Sequence, residues 1–309
     1  MRILVTGGAG FLGHHLCNAL VDADHEVIAV DDLSAGDPER LDQRVLFHRA
    51  SVLNRPKLWT LLHGVDCVYH LAARVLVAES VLYPREYNEV NVGGTVALLE
   101  AMRDLEIPRV ILASSGAIYG EQAQQPINEN TQPHPRSPYA VSKLAAEHYV
   151  HTIGALWDIS TTVLRIFNAY GPGQALPASH APVVPRFLQQ AAGGGSLVIF
   201  GDGSQSRDYV YIDDVVRGII AAGTAEEINQ KTINVGSGVE TSVNDLAEMI
   251  LEVTSSKSNI IHSAAGSAGV SRLRADLTLA KQYLDYRPKT TLKAGLRKTL
   301  SQDPRFHQA

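Results

Sequence analysis

Arg2-Ile3-Leu4-Val5-Thr6-Gly7-Gly8-Ala9-Gly10-Phe11-Leu12-Gly13 is the stretch that decides the fold of this chain. A short apolar run of strand character enters a glycine loop, and an apolar helical pattern leaves it through Leu16, Leu20 and Val21. Each glycine has a separate job. Gly7 lets the strand turn sharply, Gly10 removes a side chain where a pyrophosphate must approach the backbone, and Gly13 lets the helix pack close to a sheet. The free amides at the helix start then face the phosphates. Glu26-Val27-Ile28-Ala29-Val30 reads as a second strand that ends at Asp31. A carboxylate about 20 residues beyond such a loop can accept from both ribose hydroxyls and repels a 2′-phosphate. Strand, loop, helix, strand and Asp31 in that order predict a dinucleotide site that takes NAD in preference to NADP.

The second signal lies in Ser137-Pro138-Tyr139-Ala140-Val141-Ser142-Lys143. Pro138 suits the first turn of a helix. Positions four apart share a helix face, so Tyr139 and Lys143 can point at one target. A phenol with a reference pKa near ~10 is a poor base at neutral pH. A neighbouring cation favours its phenolate, so Lys143 is expected to lower the Tyr139 pKa. The pair is what a proton-abstracting site needs. Tyr-x-x-x-Lys alone is weak, and a surface tyrosine beside a solvated lysine is the ordinary reading. The glycine loop upstream overturns that reading.

Composition sets the outer limits. A chain of 309 residues is long enough for about two lobes and a sizeable core. A hydrophobic content of 45% is that of an ordinary globular protein. The net charge of −5, with scattered basic residues, argues against a nucleic-acid surface. No apolar run is long enough to span a membrane. The N-terminus runs straight from strand to glycine loop, which leaves no room for a signal peptide. Cys17 and Cys67 form no Cys-x-x-Cys, and the reading is two reduced core thiols in a cytoplasmic protein. No metal-ligand pattern is read.

Strand and helix patterns alternate down the chain. Strands are expected at Val45–His48, Asp66–His70, Arg109–Ala113, Thr161–Ile166 and Thr232–Val235. Helices are expected around Lys57–Leu62, Val92–Leu105, Tyr139–Ala155 and Asp213–Gly223. Such alternation predicts an α/β fold with a doubly wound parallel sheet, a Rossmann fold. Ligands of such sheets sit at the carboxyl ends of the strands, where His70-Leu71-Ala72-Ala73 and Ser114-Ser115-Gly116 fall. After Asn168 the texture changes to loops rich in Pro and Gly, through Gly171-Pro172-Gly173 and Gly193-Gly194-Gly195. Helical patterns return at Val243–Val253 and Asp276–Leu284. The expected division is a dinucleotide-binding domain from 1–166 plus 208–235, and a smaller C-terminal α/β substrate lobe from 167–207 plus 236–309.

With these residues in view, the chain resembles an extended short-chain dehydrogenase/reductase of the sugar-nucleotide epimerase/dehydratase family, nearest its UDP-glucose 4-epimerase branch. The motifs that carry the resemblance are the glycine loop, Asp31, His70-Leu71-Ala72-Ala73, Asn91 and Ser114-Ser115-Gly116-Ala117-Ile118-Tyr119-Gly120. Tyr139 with Lys143, Arg165-Ile166-Phe167-Asn168-Ala169-Tyr170-Gly171, and Phe200-Gly201-Asp202-Gly203-Ser204-Gln205-Ser206-Arg207-Asp208-Tyr209 complete the set. The resemblance implies NAD contacts from Gly7, Gly10, Phe11, Leu12, Gly13, Asp31, Asp32, Ser51, Val52, Leu71, Ala72, Ala73, Asn91, Tyr139 and Lys143. It implies that Tyr139 takes a proton from a sugar hydroxyl while its carbon gives hydride to NAD⁺. Lys143 would hold the nicotinamide ribose, and Ser115 would bond the reacting oxygen with Ser114 beside it as a substitute. Asn168 and Arg207 would hold the diphosphate of a nucleotide sugar; the plainer alternatives are a turn residue and a surface ion pair. Homodimers through a helix bundle are common in the family, and the helices at 92–105 and 139–155 are the candidates.

The departures from the family pattern matter as much. Ser51 stands where an acidic residue usually contacts adenine. His14 follows Gly13 in place of a small residue, either touching the pyrophosphate or lying on the helix surface. Gly266 falls where a second diphosphate-binding arginine is usual, and Arg272 or Arg274 is expected to compensate. The family's dehydratases carry Asp-Glu after the active-site hydroxyl residue, and its decarboxylases carry Glu at the second of those positions. Gly116-Ala117 stands there instead, and neither side chain can transfer a proton. Oxidation and reduction without elimination, hence 4-epimerisation, is the chemistry expected, with UDP-glucose and UDP-galactose the leading pair. An N-acetylated or uronic acid sugar is a close rival, a decarboxylase or dehydratase the next, and an idle NAD-sensing protein a distant one.

Overall fold

The computed structural model describes residues 1–177, 180–264 and 270–307. The first half of the chain runs β1 (Arg2–Thr6), α1 (Phe11–Asp22), β2 (Glu26–Asp31), β3 (Leu46–Arg49), α2 (Arg55–Leu61), β4 (Cys67–His70), α3 (Val77–Leu82), α4 (Pro84–Asn88), α5 (Gly94–Asp104), β5 (Arg109–Ser115) and α6 (Pro138–Trp157). Then come β6 (Ser160–Ile166), β7 (Asn168–Tyr170), α7 (Val183–Ala192), β8 (Leu197–Phe200), β9 (Ser206–Arg207), β10 (Tyr209–Tyr211), α8 (Ile212–Thr224) and β11 (Lys231–Val235). The chain ends with β12 (Thr241–Ser242), α9 (Val243–Thr254), β13 (Ile260–Ser263), α10 (Thr278–Leu284) and α11 (Leu292–Gln302).

Seven parallel strands form the central sheet in the order β11-β6-β5-β4-β1-β2-β3. Alternation along β1 shows why both faces are covered. Ile3 and Val5 pack into a core with Leu16 and Leu20 of α1 and Ile219 of α8. Leu4 points the other way, into a core with Leu58 of α2, Leu98 of α5 and Val150 of α6. Strand order reverses between β1 and β4, and the crevice above that switch point is where an open α/β sheet holds its ligand.

Each strand and helix expected from the sequence is present, with ends moved by a few residues. Helix α7 is a finding that the Pro- and Gly-rich texture of its surroundings concealed. Val184, Phe187, Leu188 and Ala191 line one face of it and are buried. Pro182 sits at its N-cap and Pro185 within its first turn, where a missing N–H breaks no intrahelical bond. Beyond β6 the chain adds three two-stranded pairs, β10 with β7, β12 with β9 and β13 with β8. One apolar core runs from Ile3 through Phe187 and Leu246 to Leu296, so the segments after β6 share an interior with one face of the central sheet.

Candidate active site

The glycine loop is forced by its neighbours. Gly7 has φ +69°, and a Cβ on it would lie 2.8 Å from the Ala72 backbone. A Cβ on Gly13 would lie 2.0 Å from the Gly7 carbonyl oxygen. Gly10 caps α1 with no side chain, and the first turn carries no acidic residue. The amides of that turn are therefore open to an anion. Asp31 stands beside the loop, its carboxylate accepting from the Ala9 amide at 3.2 Å and the Leu33 amide at 2.8 Å. Burial holds that carboxyl above its ordinary pKa, with the amide bonds pulling the other way. The remaining predicted cofactor residues lie around this crevice. The Asp32 carboxylate accepts from the Ser34 amide, the Ser51 hydroxyl accepts from the Leu53 amide, and Val52 packs over Gly94. Leu71 and Ala72 hang on Thr6 by their amides, which holds the 71–73 turn against Gly7. Phe11 and Leu12 are half-buried at the start of α1. Uncapped amides, glycines that keep side chains away from them, and a carboxylate at the ribose position fit NAD.

His14 is buried, which excludes the helix-surface alternative. Its Nδ1 bonds the Gly10 carbonyl at 2.8 Å, and burial pushes its pKa down to about 4. With Arg40, Gly173 and Arg305 it walls the cleft beside Gly10 and Phe11.

A line of hydrogen bonds ties this cradle to α6. Thr6 bonds His70 Nδ1 at 2.7 Å, and His70 Nε2 bonds Thr95 at 2.9 Å. Burial pushes the His70 pKa down to about 3, so the ring is neutral. Thr95 then donates to the Asn91 carbonyl. Asn91 lies in a widened, π-type turn, Glu89–Gly93, a distortion often found at functional sites. Its amide clamps the Arg74 backbone through both ends and donates to Ser142 Oγ at 2.9 Å. Ser142 donates in turn to the Tyr139 carbonyl. Asn91 thus fixes the 71–74 turn against α6.

Helix α6 begins as the sequence predicts, with the Ser137 hydroxyl accepting from the Ala140 amide and Pro138 in the first turn. Tyr139 is 8% and Lys143 is 4% exposed, so the solvated-surface reading fails. Tyr139 meets the ring of Tyr87 edge-on, with centroids 6.4 Å apart. Ser115 ends β5 and lies beside the phenol, where its hydrogen bond favours the phenolate. One expectation is corrected here. Burial pushes the Tyr139 pKa above its ordinary value, and the Ser115 bond only opposes it. The same burial pushes Lys143 down to about 8, with Glu147 opposing. A low-dielectric pocket disfavours the charged form of each group, and that effect sets the direction of both shifts.

Ser114 differs from the sequence expectation in direction. Its hydroxyl is bonded to Glu147, on the side of β5 away from Ser115. Gly116 packs on Phe167, and a Cβ there would lie 3.2 Å from the ring. Ala117 donates its amide to Ser115 Oγ at 3.2 Å.

A second cluster, around Arg207 and Tyr209, is one that the sequence only half revealed. Arg207 is half-buried and its guanidinium bonds the Ser206 carbonyl at 2.7 Å. Tyr209 is buried, and its hydroxyl has no hydrogen-bond partner. Burial pushes the pKa of that phenol up to about 12, and the nearby Arg207 and Arg186 oppose the shift. The unpartnered Arg186 Nε adds a second open donor. Tyr209 stands two residues after Arg207, a spacing that puts extended side chains on one face, and that was the available signal. Arg186 had no signal, because α7 was hidden. Asn168 is exposed at the start of β7, with its amide on the Asp208 carbonyl. Arg272 is committed to a bidentate pair with Glu240 at 2.7 Å. Arg274 keeps a buried Nε without a partner. Gly266 lies outside the described residues. No group of His, Cys, Asp and Glu able to hold a metal ion occurs among the described residues. None of their helices is long and apolar enough to cross a membrane.

Comparison with known proteins gives the family. The chain is 37% identical to a UDP-glucose 4-epimerase from Thermotoga maritima, solved with UDP-glucose, at a TM-score of 0.93 over 97% of this chain and 98% of that one. A UDP-glucuronic acid 4-epimerase from Bacillus cereus, solved with UDP-glucuronic acid and NAD, is 33% identical with a TM-score of 0.90 over 97% and 98% of the two chains. A UDP-N-acetyl-alpha-D-glucosaminuronate decarboxylase from Bacillus cytotoxicus is 33% identical over 97% of this chain and 96% of its own. The family model for NAD dependent epimerases and dehydratases matches residues 3–236, which hold the whole cradle, Ser115, Tyr139, Lys143 and Arg207, and the chain belongs to that family.

Proposed function

We propose that this protein is a nucleotide-sugar 4-epimerase, with UDP-glucose and UDP-galactose as the leading pair. The observation that carries the reading is the junction after β5. Ser115 and Tyr139 converge on one point, while Gly116 and Ala117 offer no acid or base beside them. Glu147, an acid on the same helix, is buried and spends its oxygens on Arg165 and Ser114. Tyr139 takes the proton of the sugar 4-hydroxyl, and Ser115 steadies that oxygen and the phenol together. When bound, NAD would supply the hydride-accepting and hydride-returning chemistry at carbon 4. Lys143 would hold its nicotinamide ribose. Burial of the pair keeps water from the 4-keto sugar while it turns over. Arg207 and Tyr209 hold the diphosphate, with Arg186 and Arg274 as further donors and Asn168 at the rim; a guanidinium fork matches phosphate oxygens.

A uronic acid or N-acetylated sugar is the rival within the class, supported by the UDP-glucuronic acid 4-epimerase neighbour. The 167–207 and 236–309 segments form the lobe that selects it. The same reading takes the enzyme as a cytoplasmic homodimer. Two buried free thiols suit a reducing compartment, and Val141, Tyr149 and Leu156 expose apolar surface along α6 for a second copy. Incubation with UDP-glucose, UDP-N-acetylglucosamine and UDP-glucuronate in deuterated water, followed by NMR, tests the reading. A carbon 4 epimer of unchanged mass, unlabelled at carbon 5 and with no net NADH, is expected. Loss of water or carbon dioxide as the main result would sink it.

A further inference from the structure

Glu147 is the one acidic side chain on the catalytic face of α6, at the third position of the series Tyr139, Lys143, Glu147. It is 3% exposed, and Arg165 of β6 is 6% exposed. Arg165 Nη2 reaches Glu147 Oε2 at 2.8 Å, and its Nε lies 3.2 Å from both carboxylate oxygens. Ser114 of β5 donates to the same carboxylate. Arg165 continues to the Tyr119 hydroxyl at 2.9 Å, and Tyr119 donates to Asn234 at 2.8 Å. Fold stability alone does not ask for this arrangement, since apolar residues of similar volume often replace a buried ion pair at no loss.

We propose that Glu147 is a positioning residue of the active site: its carboxylate ties the end of β5 that presents Ser115 to the helix that presents Tyr139, and it supplies the counter-charge for the buried Lys143 ammonium. The proposal rests on the roles assigned to Ser115, Tyr139 and Lys143 above. Lys143 is faced by Glu147 from α6 and by His70 from β4, with Tyr139 one turn before it on the same helix. Arg165 and Tyr119 lie behind the carboxylate, and His151 one turn beyond it. Among these, His70 is neutral, and Glu147 is the charge that favours the ammonium. Arg165 neutralises the far side of the carboxylate and aims it. Removing the negative charge should therefore make Lys143 lose its proton at lower pH.

The test uses the NAD-loaded enzyme with ¹³Cε-labelled lysine, the Lys143 signal being identified by its absence from Lys143→Met. In Glu147→Gln the Lys143 titration should move down by about one pH unit, the low end of the usual effect of a close charge. The alkaline limb of UDP-glucose turnover should move with it, so kcat falls about tenfold more at the alkaline end than at neutral pH, with KM unchanged. Glu147→Asp keeps the charge and should keep the wild-type titration. If Glu147→Gln does not fold, Glu147→Met/Arg165→Met removes both charges together and should show a smaller downward shift, because loss of the more distant guanidinium offsets part of the loss of the carboxylate. A Lys143 titration that stays at the wild-type pH in whichever variant folds overturns the proposal, as does one that falls equally in Glu147→Asp. If the wild-type enzyme turns over no nucleotide sugar, the epimerase reading fails, while the NMR titration still decides the role of Glu147.

Discussion

Lys143→Met should make the cofactor-free protein more stable at neutral pH and inactive at every pH. Lys143 is buried, and burial lowers its pKa from 10.5 to about 8. The folded state therefore holds its proton less firmly than the unfolded chain does. Between those two values the unfolded state binds more protons, so stability rises with pH across that window. Below about 8 the full cost of burying the ammonium is present; above 10.5 it is gone. At 1.36 kcal/mol per unit the cost is about 3 kcal/mol, an upper figure because Met recovers only the charge term. Met fills a similar volume, so no large cavity offsets the gain. Glu147 stays paired with Arg165 and Ser114, so no orphan carboxylate appears. Urea unfolding of both proteins at pH 7, and again near pH 10, measures the difference. The variant should be more stable at pH 7 and its advantage should shrink at the higher pH. An equal or less stable variant at pH 7, or a gain independent of pH, would refute the burial argument.

Other expectations follow from the same geometry. Tyr139→Phe should keep the fold and NAD but lose roughly 10²–10⁴-fold in turnover, and near-normal turnover would remove Tyr139 from the proton step. Asp31→Ala should lose preference for NAD, because the carboxylate that repels a 2′-phosphate is gone; a wild-type protein that binds NADP as tightly as NAD in titration contradicts this. Arg207→Ala should weaken UDP-glucose by about 1.5–3 kcal/mol in calorimetry while NAD affinity holds, and unaltered substrate binding would return Arg207 to a structural role. Arg274→Ala should weaken the substrate too, whereas Arg272→Ala should not, since Arg272 is already spent on Glu240.

The parts of the fold legible in the sequence are those fixed by local rules. Period-two and unbroken apolar runs marked the strands, and Gly7, Gly10 and Gly13 marked a turn that admits no Cβ at 7 or 13. Helix α7 was hidden because its two prolines sit where a helix tolerates them, a distinction that only the finished helix reveals. The pairs β8 with β13 and β9 with β12 join segments far apart in sequence, and short strands carry little pattern of their own.

The site was legible in its residue types and obscure in its environment. Spacing put Tyr139 and Lys143 on one face, and it could not tell how much water that face keeps. Proximity to a cation lowers a phenol pKa and burial raises it, and the two effects have opposite signs. With both groups in one dry pocket, burial dominates the phenol and also weakens the ammonium that was meant to help it. The proposed base is therefore tuned by what surrounds the pair: Ser115 at the phenol, and Glu147 one turn past the ammonium. Glu147 drew no notice in the sequence because an acid four residues beyond a lysine on a helix is ordinarily a solvated pair worth a few tenths of a kcal/mol. Its weight comes from Arg165 of β6 and Ser114 of β5, which close over it only in the folded chain.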